Sequence, residues 1–124
     1  MDILIADDSA TIRQVVRSYF EQNSDWHISG EADDGETAVE LVRKLKPDGV
    51  ILDFSMPKMN GLDVAQQIAK ISPNTKVVLF TAHDSGILRM HAAAAGIKAV
   101  VAKDGKASLD ALQHALRGDE PHAA

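Results

Sequence analysis

The sequence predicts an α/β protein: one domain in which a doubly wound, five-stranded parallel sheet is covered by five helices on its two faces. Five short apolar runs alternate with segments whose apolar residues recur at helical spacing. Strands and helices alternating at these lengths indicate right-handed crossovers and a parallel sheet. The 124 residues, 45% of them hydrophobic, suffice for a single self-contained core.

The first two strand–helix units occupy residues 3–45. Residues 3–6 are uniformly apolar, as in a strand buried on both faces, and Ser9 is a favourable N-cap for the first helix. Residues 26–32 are a less apolar strand, which we expect at a sheet edge, and the second helix must end before Pro47. The predicted inward faces of the two helices are Ile12, Val15, Val16, Tyr19 and Phe20, then Ala38, Leu41, Val42 and Leu45.

The remaining three units follow the same pattern. Strands are predicted at residues 50–52, 76–80 and 99–102, and the intervening helices begin near Asn60 and at Asp84 or Ser85. The third helix is predicted to bury Leu62, Ala65, Ile68 and Ala69. Gly96 suits a left-handed C-terminal cap. The last helix covers residues 107–117, so the domain is predicted to span residues 1–118, with residues 119–124 as a tail or the start of a linker.

The composition excludes several classes of function. A net charge of −5 disfavours a nucleic-acid-binding surface, and the lack of cysteine excludes disulfides and thiolate metal sites. The N-terminus has no signal-peptide pattern, and no apolar run approaches the roughly 20 residues of a membrane span. We therefore expect a cytoplasmic protein with no membrane partner.

Chemistry-bearing residues follow four of the five predicted strands. Asp7 and Asp8 follow the first, Asp53 the third, Thr81 the fourth and Lys103 the fifth. In open parallel sheets, ligands bind beyond the carboxyl ends of the strands. Clustered carboxylates suit Mg²⁺, a carboxylate nucleophile forms an aspartyl phosphate, and a lysine and a hydroxyl stabilise phosphoryl oxygens. The pattern therefore predicts that Asp53 accepts a phosphoryl group.

Over residues 2–118 the sequence resembles a response-regulator receiver domain of a two-component system. The ordered motifs that carry the resemblance are Asp7-Asp8, Asp53-Phe-Ser-Met-Pro-Lys-Met-Asn-Gly61, Thr81-Ala82, and Gly96 followed by Lys103. The resemblance implies the flavodoxin-like strand order 2-1-3-4-5. It also implies a signalling switch that is not an enzyme, apart from phosphorylation and dephosphorylation of its own Asp53.

The resemblance further implies a role for each site residue. A partner sensor histidine kinase would phosphorylate Asp53, while Asp8, Asp53 and the Ser55 backbone carbonyl would bind Mg²⁺ directly. Asp7 would orient the metal through water or hydrogen bonds. Thr81 and Lys103 would hold the phosphoryl oxygens.

The C-terminal part is most similar to NarL/LuxR-type receivers, because Lys103 precedes Asp104 instead of the more usual proline. Those regulators carry a C-terminal DNA-binding domain, so we expect transcriptional output, with homodimerisation on phosphorylation as a further possibility. Either such a domain follows in the natural protein, or the receiver acts alone through protein–protein contacts. Val100 stands where receivers commonly carry tyrosine or phenylalanine, so we expect the signal to travel through residues 82–86 and the fourth helix.

Three other functions fit the sequence less well. A small Mg²⁺-dependent phosphatase or phosphotransferase is disfavoured because Ser55, not an aspartate, lies two residues after Asp53. A flavin or nucleotide binder is disfavoured because acids replace a glycine-rich loop after the first strand. A receiver-like domain that has lost phosphorylation is disfavoured by the complete set of acids.

The side chains of Ser55 and His83 are expected to rim the pocket and to tune the lifetime of the phosphoryl group.

Overall fold

The computed structural model describes residues 1–118, and the predicted tail or linker, residues 119–124, lies outside the described residues. Five strands and five helices alternate along the chain. The strands are β1 (Asp2–Ala6), β2 (His27–Ala32), β3 (Gly49–Leu52), β4 (Lys76–Thr81) and β5 (Ala99–Ala102). The helices are α1 (Ala10–Asn23), α2 (Gly35–Leu45), α3 (Gly61–Ile71), α4 (Gly86–Ala94) and α5 (Lys106–Arg117).

The sheet is parallel and has the order β2-β1-β3-β4-β5, which confirms the predicted fold class and places β2 at an edge. Two apolar cores lie on its opposite faces. One packs α2, α3 and α4 against the sheet, through residues such as Val42, Ile68 and Leu88. The other packs α1 and α5, through residues such as Phe20 and Leu112.

Local sequence signals explain where the helices begin. The side chains of Ser9, Asp34, Asn60 and Ser85 each accept a hydrogen bond from the backbone N–H three residues further on. Such caps satisfy one of the unpaired donors at a helix N-terminus. Of the two predicted starts of α4, Ser85 is therefore the N-cap.

Three residues predicted to face the core are exposed instead. The side chains of Val15 and Leu45 are 46% and 43% exposed, and Ala69 also faces solvent. Val39 and Val64 do not belong to the predicted faces but are buried. The apolar stripes of α2 and α3 are rotated by about one position, about 100° on a helix of 3.6 residues per turn.

Gly61 determines how closely α3 approaches the end of β3. A Cβ at this position would lie 2.6 Å from the Asp53 carbonyl oxygen and 3.0 Å from the Phe54 Cα. The Gly61 N–H donates to the Phe54 carbonyl at 2.8 Å. A side chain would therefore push α3 away from the strand end that carries Asp53.

Within residues 1–118, none of the helices has both the length and the apolar character that crossing a membrane requires.

Candidate functional site

Asp7, Asp8 and Asp53 meet at the carboxyl edge of the sheet. Strands β1 and β3 are neighbours, with Ala6 paired to Leu52, so the residues that follow them lie side by side. One carboxylate oxygen from each of the three aspartates lies within 4.8 Å of the others. Asp7 and Asp53 are buried, whereas Asp8 is exposed to solvent. The predicted acid cluster is therefore present, with one open side.

Lys103 reaches the same cluster from the other half of the sheet. Its backbone N–H donates to the Thr81 carbonyl at 2.9 Å, just beyond the paired ends of β4 and β5. Its Nζ donates to Asp7 Oδ2 at 2.8 Å and lies 3.4 Å from Asp53 Oδ1. The Lys103 Nζ also lies 5.7 Å from the centroid of the Phe80 ring. The ammonium group thus offsets part of the negative charge of the cluster.

Hydrogen bonds hold both the backbone and the side chain of Asp7. Its N–H donates to the Ala32 carbonyl at 3.0 Å, and its Oδ1 accepts the Ser9 N–H at 2.9 Å. Its backbone carbonyl accepts a hydrogen bond from Arg13 Nη1 at 2.6 Å. Arg13 is not among the site residues that the sequence predicts. The available signal was its position one turn after the Ser9 N-cap, on the part of α1 nearest the acids.

The environment of Asp53 disfavours its ionised form. Burial raises the pKa of this carboxyl, and the nearby Asp7 carboxylate raises it further. Lys103 and the backbone N–H of Ser55 oppose the rise without cancelling it. A cation bound beside Asp53 would stabilise its carboxylate, so the site favours binding of a positively charged ion.

Thr81 and Ser55 are placed differently from the acids. Thr81 is fully buried at the end of β4, and its Oγ1 accepts the His83 N–H at 3.1 Å. Ser55 and His83 are exposed. The role of the Ser55 carbonyl as a metal ligand, the role of Thr81 towards phosphoryl oxygens, and the tuning roles of the Ser55 and His83 side chains stay predictions.

The donor set fits Mg²⁺. Carboxylate oxygens are the hard ligands that this ion prefers, and it usually retains several waters when bound to one or two carboxylates. The exposure of Asp8 leaves an approach from solvent. Three acids this close repel one another, and a divalent cation would relieve that repulsion.

Comparison with known proteins identifies the family. A family profile described as "Response regulator receiver domain" matches residues 3–117. The chain belongs to the receiver domain family. This result confirms the resemblance seen in the motifs around Asp7, Asp53 and Lys103.

Individual relatives agree with this assignment. The chain is 37% identical over 101 residues to the chemotaxis protein CheY of Thermotoga maritima, covering 82% of this chain and 83% of that protein. It is 32% identical over 119 residues to the uncharacterized transcriptional regulatory protein YxjL of Bacillus subtilis, covering 94% of this chain but 55% of YxjL. The chain therefore spans about half the length of that transcriptional regulator.

The predicted similarity to NarL/LuxR-type receivers is also confirmed. The receiver domain of the putative response regulator NarL from Mycobacterium tuberculosis superimposes with a TM-score of 0.86 and 29% identity. The match covers 94% of this chain and 96% of that one.

Proposed function

We propose that this receiver domain is a phosphorylation-activated switch whose Asp53 accepts a phosphoryl group from a sensor histidine kinase. The observation that carries the proposal is the convergence of three aspartates within 4.8 Å, with the Lys103 ammonium 2.8 Å from Asp7 and 3.4 Å from Asp53. Phosphoryl transfer depends mainly on positioning and on stabilisation of negative charge, and this arrangement supports both.

For Mg²⁺ we propose the ligand set that the family resemblance implies, and the clustering of the three aspartates supports it. Asp8, Asp53 and the Ser55 backbone carbonyl would hold Mg²⁺, with Asp7 orienting it through water or a hydrogen bond. Bound Mg²⁺ would neutralise charge on the phosphoryl oxygens.

Side chains of this domain carry out the phosphoryl transfer and stabilise the transferred group. An Asp53 carboxylate oxygen attacks the phosphorus of the kinase phosphohistidine, the P–N bond breaks, and the imidazole nitrogen leaves with its electron pair. Lys103 Nζ pairs with one phosphoryl oxygen. The Thr81 hydroxyl donates to another.

The conformational signal leaves the site through Thr81. Its Oγ1 accepts the His83 N–H in the unphosphorylated domain. Turning the hydroxyl towards a phosphoryl oxygen breaks this contact and releases residues 82–86, which lead into α4. Val100 is half-buried against the core and has no ring to swing inward. A switch of this kind works because the phosphoryl group binds one conformation better than the other.

The output is transcriptional if a DNA-binding domain follows this segment in the full-length protein, as the length of YxjL supports. Homodimerisation on phosphorylation would then pair two such domains. A second candidate is a receiver that acts in the cytoplasm by protein–protein contacts alone. It is favoured by the match to 83% of a chemotaxis CheY. Neither role requires catalytic turnover of an external substrate.

Incubation with a small phosphodonor and Mg²⁺ tests phosphorylation, with intact-protein mass spectrometry as the readout. We expect a mass gain of one phosphoryl group that disappears in Asp53→Ala and when EDTA removes the metal. Asp33→Ala changes an exposed aspartate outside the cluster and should leave the gain intact. Folded wild-type protein that stays unmodified would refute the proposal, and rapid turnover of varied phosphoesters would favour the phosphatase.

A phosphoryl mimic tests the route of the signal. With the mimic bound, hydrogen exchange in residues 82–95 should change more than in α1 or α2, because the Thr81–His83 contact is lost. Backbone NMR shifts of the same segment provide an independent measurement. An unchanged 82–95 segment would rule out this route.

A further inference from the structure

Arg13 connects three elements at the acid-bearing edge of the sheet. It lies in the first turn of α1, and its Nη1 donates to the Asp7 carbonyl at 2.6 Å. Its Nε donates to Glu31 Oε1, on β2, at 3.0 Å. The Arg13 side chain is 18% exposed, so these contacts are largely shielded from water. One guanidinium group therefore braces the end of β1 against both α1 and β2.

We propose that Arg13 is a positioning residue for the metal-binding carboxylate of Asp8, an inference that rests on the proposed Mg²⁺ site. The Asp7 carbonyl and the Asp8 N–H belong to one planar peptide unit. Holding the carbonyl therefore fixes the plane from which Asp8 extends. Asp8 is exposed, whereas its buried neighbour Asp7 is already held by Ser9 and Lys103. Asp8 thus depends most on the orientation of its backbone.

Glu31 separates this geometric role from a simple effect of charge. A positive charge this close to the acids would by itself oppose cation binding. Glu31 pairs with Arg13 and also accepts Arg17 Nε at 2.7 Å. Burial raises the pKa of Glu31, but the hydrogen bonds from Arg17 and Arg13 lower it overall. An ionised Glu31 therefore offsets the charge of Arg13. The effect of Arg13 on the site then comes from its hydrogen bond to the Asp7 carbonyl.

Arg17 is the natural control, because it pairs with the same Glu31 from the next turn of α1. Its side-chain hydrogen bonds go to Glu31 and Glu21, while the Asp7 carbonyl is held by Arg13. Arg17→Met removes a cation and an ion pair of Glu31. Arg13→Met removes the same kind of group together with the contact to the Asp7 carbonyl. Any difference between the two variants reports that contact.

The test measures Mg²⁺ binding by calorimetry on the full chain without phosphodonor. We expect Arg13→Met to weaken binding about tenfold, since groups that orient metal ligands typically change affinity by 10–100-fold. Arg17→Met should stay within about twofold of wild type by the same reasoning. No loss in Arg13→Met, or an equal loss in both variants, would overturn the positioning role.

A second readout needs no metal. The NMR resonances of the Asp8 and Ser9 amides should shift in Arg13→Met and stay in place in Arg17→Met. A purely structural role would lower the melting temperature of Arg13→Met without moving these resonances, and that result would also overturn the proposal. Arg13→Gln replaces Arg13→Met if the latter does not fold. Wild-type protein that binds no Mg²⁺ would refute the proposed metal site, while the amide shifts would still decide whether Arg13 holds the Asp7–Asp8 peptide.

Discussion

The α1–α5 side of the molecule and the α4 segment both begin beside the candidate site, but they are held in place very differently. On the α1–α5 side, the Tyr19 hydroxyl donates to Asp110 of α5 and lies 3.1 Å from Gln113 Oε1. The Phe20 ring stacks on Trp26 with 5.6 Å between centroids. The hydrogen bonds of Tyr19 thus join α1 to α5, and the Phe20–Trp26 stack packs the connection after α1 against that helix.

The α4 segment is anchored by few buried side chains. Within helix α4 itself the buried residues are Leu88 and Ala92, whereas Ile87 and Met90 are 71% and 73% exposed. Its polar side chains bond within the segment: Ser85 caps the Leu88 N–H, and Arg89 pairs with Asp84 at 2.6 Å.

This difference is compatible with the proposed route of the signal through α4. Segments with little buried apolar contact open at lower free energy than the core. A change at Thr81 would therefore displace α4 before it disturbs α1 or α5. The two sides also predict different responses to mutation.

Leu88→Ala should produce the largest effect, a loss of about 2–3 kcal/mol in the free energy of unfolding. Leu88 is the largest buried side chain of α4, so its removal should also speed hydrogen exchange in α4 more than in α1 or α5. Denaturant unfolding and exchange mass spectrometry measure the two effects.

The neighbouring Ile87→Ala is the matched control. Ile87 is 71% exposed, so its truncation should change stability by less than about 0.5 kcal/mol. Equal losses in both variants, or exchange that rises uniformly in all helices after Leu88→Ala, would show that α4 is no less firmly held than the rest.

Tyr19→Phe should cost about 1 kcal/mol at pH 7, the usual contribution of one hydrogen bond. Burial, and then the Asp110 carboxylate, raise the pKa of Tyr19 to about 12. The neutral phenol is therefore favoured in the folded protein. Its contribution should be complete below the unfolded pKa of about 10 and lost as the pH rises towards about 12.

The chain has 1 tyrosine, so tyrosinate absorbance in the folded protein reports this group directly. The stability difference between wild type and Tyr19→Phe should shrink over the same pH range. Titration of Tyr19 near its ordinary pKa would show that its hydrogen bond to Asp110 contributes little in solution.

Most of the fold could be predicted from local patterns, and the exceptions have a common cause. The caps Ser9 and Asn60 act on their own helices, so sequence spacing was sufficient to find them. The exposure of Val15 and Ala69 depends on which part of each helix meets the sheet, and helical periodicity alone leaves that orientation open by about one residue. Arg13 was missed because its partners, Asp7 and Glu31, are joined only by tertiary contacts.

By itself, the sequence determined the alternation of strands and helices, the strand-end residues Asp7, Asp8, Asp53, Thr81 and Lys103, and thereby the family. Apolar periodicity, caps and ordered motifs depend on residues close together in the chain, so they can be recognised from the sequence alone. Only the tertiary structure decided that Arg13 holds the Asp7 carbonyl, that α1 and α5 are joined through Tyr19, and that α4 is lightly anchored. These features depend on groups brought together by the sheet order and the helix orientations, which no local spacing encodes.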